Sequence, residues 1–108
     1  MTILHTSPWG RPDSQTQIAE GIISLSTPSH GGIYLSQARY EALPIALQCN
    51  RYGGSTFFEE DCEAAIIHLW FDIDVINRSD LLMGLNFCED FRGAYKYFAE
   101  TPNARGVL

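Results

Sequence analysis

The apolar residues of this chain change their spacing near residue 37, and this change limits the fold more than any other feature of the sequence. Between residues 15 and 36 they partly alternate, as in Ile22–Ser26, which is typical of β-strands. From residue 57 onward they recur at every third or fourth position, which is typical of amphipathic helices. Strand signals followed by helix signals predict an α+β fold, with a short N-terminal β-meander or hairpin packed against three to four helices.

The strand-rich part contains two strands joined by a glycine-containing loop. Ile22–Ser26 is the outgoing strand, residues 28–32 form the loop, and residues 33–35 return. The pair Gly31-Gly32 permits a tight reversal of the chain. Residues 15–19 form either a first strand or a helical turn.

The helical part follows, and a Ser or Thr that can act as an N-cap precedes each segment. Thr56 and Glu59 also have the spacing of a capping box. We expect the last helix to bend near residues 84–86. The predicted helices span residues 37–43, 57–74 and 80–100.

The length of 108 residues fits one domain with a single core, and no linker or repeat divides it. Within the domain 1–108 we expect an irregular arm at residues 1–13, pinned by Trp9, and a loose tail at residues 102–108. No apolar run approaches the ~18 residues that span a bilayer, and the first ten residues lack the features of a signal peptide. The three cysteines have no disulfide or zinc spacing. We therefore predict a cytoplasmic protein with no membrane partner.

The charge is unevenly distributed along the chain. The formal net charge is −6, and residues 52–77 carry six acidic residues and no Lys or Arg. The other seven acidic residues are balanced by the seven Lys and Arg residues. Direct nucleic-acid binding needs a basic footprint, so this balance argues against it and favours a basic protein partner. The six acids are Glu59, Glu60, Asp61, Glu63, Asp72 and Asp74.

A helical projection of residues 57–74 separates a core face from an acidic face. The core arc contains Cys62 at its centre, which favours a packed thiol. The acidic arc also contains Ile67 and Trp70, two large apolar residues among acids. Either a neighbouring element of the same chain covers them, or they anchor a partner that the acids attract. The predicted partner-binding residues are Glu59, Glu60, Glu63, Ile67, Trp70 and Asp74.

A second candidate site lies in the loop at residues 26–32. His30 with Cys62 or Asp61 could form a nucleophile–base pair, which would make the protein a small hydrolase or transferase. The alternative is a hydrogen-bonded turn between two strands. A third interpretation is a structural homodimer in which Trp70 and Ile67 meet their symmetry mates. We predict no catalytic residue in the leading interpretation, and no metal site or cofactor in any of them.

Two strings of residues resemble a known group of sequences. Residues 26–33, Ser-Thr-Pro-Ser-His-Gly-Gly-Ile, and residues 58–62, Phe-Glu-Glu-Asp-Cys, resemble an uncharacterised family of small domains from proteobacteria, plasmids and phage. The resemblance covers residues 5–66 and implies no activity and no functional residues. It implies a mobile-element setting, in which small acidic proteins often inhibit host defence.

The leading prediction combines these observations. It is a non-enzymatic binding protein, monomeric or homodimeric, that inhibits a host defence complex in the manner of an anti-CRISPR protein. Its acidic helix face would dock on a basic surface of a nucleic-acid-handling effector complex. This step from setting to activity is an analogy, because a fold does not imply a function.

Overall fold

In a computed structural model of the protein, which describes residues 3–49 and 56–108, a four-stranded antiparallel sheet packs against four helices. The predicted α+β fold is confirmed. The strands lie in the order β1-β2-β3-β4 and span Ser14–Ala19, Ile22–Ser26, Gly31–Leu35 and Phe57–Glu59. The helices α1 to α4 span Gln37–Glu41, Cys62–Phe71, Arg78–Phe87 and Arg92–Glu100, with 3₁₀ turns at Ile45–Leu47 and Glu89–Phe91.

One core joins the sheet to the helices. Alternate side chains of β3 point into it, so that Ile33 and Leu35 are buried while Tyr34 between them is partly exposed. Among the helices, α2 contributes the most residues to this core, and α4 contributes Phe98. The fully buried large side chains are Ile22, Ile23, Ile33, Leu35, Leu47, Phe58, Ile66, Ile67, Leu69, Leu85 and Phe98. None of the helices within the described ranges has the length and apolar character required to cross a bilayer.

The fourth strand lies where the sequence predicted the start of a helix. Phe57–Glu59 pairs with β3, and Phe58 is opposite Ile33. Helix α2 therefore begins at Cys62, after Asp61, whose φ of 74° turns the chain. The predicted capping box of Thr56 and Glu59 is wrong, because both residues lie before the helix. The prediction was wrong because Phe58 would face the core both in a helix and in a strand. The residue that it pairs with in the strand is 25 residues away in the chain, so the local sequence does not reveal the pairing.

The last predicted helix is two helices. Asn77 caps α3 by accepting a hydrogen bond from the backbone N–H of Asp80 at 3.2 Å, so the helix begins before the predicted Ser79 cap. The chain leaves α3 at Cys88, which has extended backbone angles. The break falls at residues 88–91, and the predicted bend at residues 84–86 is wrong: Gly84 lies within regular helix.

The two ends of the chain differ in how well they were predicted. Residues 3–13 form no helix or strand, and Trp9 packs edge-on against Phe57 with ring centroids 5.9 Å apart. The C-terminal tail is not loose. The backbone N–H of Gly106 donates to the carbonyl of Trp70 at 2.9 Å, and the Arg39 guanidinium donates to the carbonyl of Val107. The tail thus packs on the C-terminal end of α2, against Trp70 and Phe71.

Candidate functional site

The predicted acidic helix face does not form. Glu59 and Glu60 lie on β4 and in the turn after it, and Asp74 lies beyond the end of α2. Glu63 is in the first turn of α2 but is only 2% exposed, and its carboxylate accepts a hydrogen bond from the backbone N–H of Glu59 at 3.2 Å. This carboxylate ties β4 to α2. A partner cannot reach it without disturbing the fold.

The two predicted anchors are covered by the chain itself. Ile67 is 0% exposed. Trp70 is partly buried, packs against the ring of Tyr97 at 6.3 Å, and lies under Gly106 of the tail. Ile67 is thus covered within the core of the chain, and Tyr97 of α4 together with the tail covers part of Trp70. Because Ile67 is fully buried, it offers no surface to a second copy, and the predicted homodimer contact could not include it.

The acids converge at another place, where the end of β4 and the start of α2 meet the end of α3. A concave site of about 160 Å³ lies between them, and we call it the acidic cleft. No Lys or Arg is among its described lining residues. These are Glu59, Glu60, Asp61, Cys62, Glu63, Cys88 and Phe91.

Two further acids extend the charge of the acidic cleft. Glu89 and Asp90 stand between the lining residues Cys88 and Phe91, and both are exposed. The four lining carboxylates share one end of the molecule, and Glu89 and Asp90 adjoin its lining residues in the chain, about 30 residues further on. The His30 ring faces this end, with Nδ1 3.9 Å from Glu59 Oε1 and 3.7 Å from Glu60 Oε1.

The loop before β3 is a hydrogen-bonded turn. The Thr27 backbone N–H and hydroxyl both donate to the carbonyl of His30, at 2.7 and 2.8 Å. The Thr27 hydroxyl oxygen in turn accepts from the backbone N–H groups of Ser29 and His30. These bonds fix where the imidazole points. The glycines that follow have a packing role, because a Cβ at Gly32 would collide with β4 and with the ring of Trp9.

The geometry does not bring His30 and Cys62 together as a nucleophile–base pair. The described contacts of the His30 ring are with Glu59 and Glu60, and the Cys62 thiol lies against another thiol, that of Cys88, at 2.7 Å. Burial, together with the hydrogen bond and charge of Cys88, raises the pKa of Cys62 to about 11. A cysteine that serves as the catalytic nucleophile of a hydrolase or transferase at neutral pH has the opposite shift, since the thiolate is the nucleophile.

An apolar groove adjoins the acidic cleft and shares two of its lining residues. It has a volume of about 210 Å³ and runs between α2 and α3. On α3, Asp80, Gly84 and Phe87 lie within an arc of about 60°, so Phe87 flanks the groove. Phe87 is 77% exposed. The groove is lined by Asp61, Cys62, Ala65, Asp80, Leu81, Gly84 and Leu85.

Sequence reasoning missed Phe87, Glu89 and Asp90. Phe87 stands off the apolar stripe of the last predicted helix, and this was a signal of exposure that the sequence carried. The two acids had no such signal, because only the break after α3 sets them between two lining residues of the acidic cleft. Among the described residues, no group of three or more His, Cys, Asp and Glu side chains is arranged to hold a metal ion.

The fold and the site together define a small acidic α+β domain with a carboxylate-lined cleft beside an exposed aromatic residue. The chain belongs to the family described as Domain of unknown function (DUF7007), whose model matches residues 3–98. No curated protein and no solved structure matches the chain. The family therefore brings no activity with it.

Proposed function

We propose that the protein is a non-enzymatic binding protein that docks the acidic cleft on a basic surface of another protein. The observation that carries this proposal is the acidic cleft, which four carboxylates line, with the exposed Phe87, Glu89 and Asp90 next to its lining residue Cys88 in the chain. Carboxylates at the rim steer a basic partner to the site, and a desolvated aromatic residue supplies much of the binding energy. Phe87 takes the role that the sequence assigned to Trp70 and Ile67.

The carboxylates divide into two groups by their exposure. Glu63 is buried and Glu59 has a side chain that is only 18% exposed, so these two residues shape the site. Glu60, with a side chain that is 52% exposed, and the exposed Asp61, Glu89 and Asp90 are available to a partner. The second group is therefore the place to test binding.

The proposed partner is a nucleic-acid-handling complex of a host defence system. Such a complex presents Lys and Arg in the groove that holds its nucleic acid, and an acidic domain placed there competes for the same charges. The resemblance of residues 5–66 to sequences of plasmids and phage supports this setting. The protein would then act as an inhibitor by occupying the groove.

Charge reversal at the exposed acids will weaken binding of a basic probe. In the triple variant Glu60→Lys, Glu89→Lys and Asp90→Lys, we expect the Kd for a fluorescent oligolysine peptide to rise at least tenfold. One close charge pair in water contributes about 1 kcal/mol, which is about fivefold in Kd. Fluorescence anisotropy measures the Kd, and stopped-flow mixing should show that the loss is mainly in the association rate and shrinks with added salt.

A variant of equal net charge controls for the general effect of charge. Glu20→Lys, Glu41→Lys and Glu100→Lys changes three acids that neither line the acidic cleft nor stand between its lining residues in the chain. We expect its Kd to differ from that of the natural chain by less than about threefold, since screened charges act over about 10 Å at 0.1 M salt. Equal losses in the two triple variants would show that the peptide senses only the net charge, and the acidic cleft would then not be the site.

The aromatic anchor has a separate test. A second probe carries one leucine within the oligolysine peptide. We expect Phe87→Ala to raise the Kd of the leucine-containing peptide about fivefold or more, in line with truncation of an interface anchor, and to leave that of plain oligolysine unchanged. If both peptides bind the variant as they bind the natural chain, Phe87 is not part of the binding surface.

A further inference from the structure

We propose that Cys62 and Cys88 form a redox-active thiol pair, which a low-molecular-weight disulfide such as oxidised glutathione converts to an intramolecular disulfide at the floor of the acidic cleft. We infer the pair from the positions of the two thiols. Its effect on binding rests on the proposed function.

The fold brings the two sulfur atoms together from distant positions. Cys62 is the first residue of α2 and Cys88 is the residue that follows α3, so the packing of α2 on α3 sets their separation. The Sγ atoms are 2.7 Å apart, and a disulfide bond of about 2.05 Å would need a further approach of only ~0.7 Å. Both thiols line the acidic cleft, from which a small reagent can reach them.

Oxidised glutathione accepts the two electrons that the two cysteines lose when their disulfide forms. The thiolate of one cysteine attacks a sulfur of oxidised glutathione, the glutathione disulfide bond breaks, and one glutathione leaves as a thiolate. The thiolate of the other cysteine then attacks the protein sulfur of this mixed disulfide and displaces the second glutathione. The two cysteines lose two electrons, the glutathione disulfide gains them, and the two protons end on the two glutathione thiols.

The surroundings of the pair make the exchange dependent on pH. Burial, followed by the hydrogen bond and charge of Cys88 and the charges of Asp61 and Glu63, raises the pKa of Cys62 to about 11. Its thiolate is therefore scarce at neutral pH, and the rate of disulfide formation rises as the pH rises toward that value. The other titratable groups that line the acidic cleft and the adjoining apolar groove are Glu59 and Glu60, at the end of β4, and Asp80 of α3.

The disulfide would affect the acidic cleft by joining two acidic segments of the chain. Cys62 is flanked by Asp61 and Glu63, and Cys88 is followed directly by Glu89 and Asp90. A covalent bond between the cysteines fixes these two acidic segments relative to each other. Because a pre-organised site loses less freedom on binding, we expect the Kd for oligolysine to fall about twofold or more on oxidation.

The experiment uses the full chain with Cys49→Ser, which leaves only the pair. After incubation with oxidised glutathione we expect a mass loss of two hydrogens, a peptide that links Cys62 to Cys88, and a higher urea midpoint that a reductant reverses. The single variants Cys62→Ser and Cys88→Ser, and Cys62→Ala as a second replacement, should instead gain the mass of one glutathione. Formation should be faster at pH 9 than at pH 7.

Two results would overturn the inference in distinguishable ways. Glutathione adducts or intermolecular dimers in place of the intramolecular bond would show that the thiols do not form a pair, whatever the chain binds. An intramolecular bond that leaves the oligolysine Kd unchanged would refute its regulatory effect. Failure of the proposed function is recognised separately, by charge reversal that does not alter binding in the reduced chain.

Discussion

Replacement of Phe58 by alanine will lower the free energy of unfolding by about 3–5 kcal/mol, as truncation of a buried phenylalanine does. The Phe58 side chain is 0% exposed and lies 6.0 Å from the ring of Tyr40, centroid to centroid. It also stands at the middle of the short strand β4, opposite Ile33. A cavity at this position removes the main apolar contact that holds β4 on the sheet. Urea unfolding followed by circular dichroism measures the loss.

Phe87→Ala is the matched control, because it removes the same side chain from a position that is 77% exposed. We expect its free energy of unfolding to change by less than about 0.5 kcal/mol. The pair also separates stability from binding, since Phe87→Ala should weaken binding of the leucine-containing peptide in a fully folded chain. A loss of stability at Phe58 no greater than that at Phe87 would mean that β4 is not held as the structure shows.

The N-terminal sheet could be predicted from sequence because its pairing is local. The strand Ile22–Ser26 was predicted with its observed bounds, and the return strand was placed within two residues of Gly31–Leu35. Adjacent strands joined by short loops leave their signal in a single stretch of sequence. Residues 15–19 were ambiguous between strand and helix, and the pairing with β2 decides for a strand.

The fourth strand could not be predicted in the same way, and the site was misplaced as a result. The pairing of β4 with β3 connects residues separated by α1 and the segment after it, and a three-residue strand is too short to show alternation. Once residues 57–59 were placed in a helix, Glu59 and Glu60 appeared to share a face with Trp70. In the structure they line the acidic cleft at the end of β4.

Charge concentration in the sequence predicted an acidic surface but not which acids are exposed. Glu63 looks like a first-turn acid facing solvent, which helix electrostatics favour. It is buried instead because the β4 backbone offers it a hydrogen bond. Glu89 and Asp90 lie outside the acidic segment of the sequence, and the break between α3 and α4 places them beside the acidic cleft.

Replacement of Gly32 by alanine will lower the free energy of unfolding by about 2–3 kcal/mol, as overpacking of a tight site does. An alanine Cβ at this position would collide with the carbonyl oxygen of Phe58 and stand 2.6 Å from the indole of Trp9. The carbonyl belongs to the backbone of a paired strand, so rotation of a side chain cannot relieve the collision. The expected loss is opposite in sign to the usual gain when alanine replaces glycine within a strand.

Gly84→Ala gives the opposite result in the same chain and tests the reason for the loss. Gly84 lies inside α3, and an added Cβ there meets no atom within 4 Å. We expect it to raise the free energy of unfolding by about 0.5–1 kcal/mol, because alanine is the better helix former. Urea unfolding measures both variants, and Trp9 fluorescence should change with Gly32→Ala alone. Should Gly32→Ala prove neutral, the close approach of β4 and Trp9 to β3 would be wrong, and with it the position of Glu59 and Glu60 at the acidic cleft.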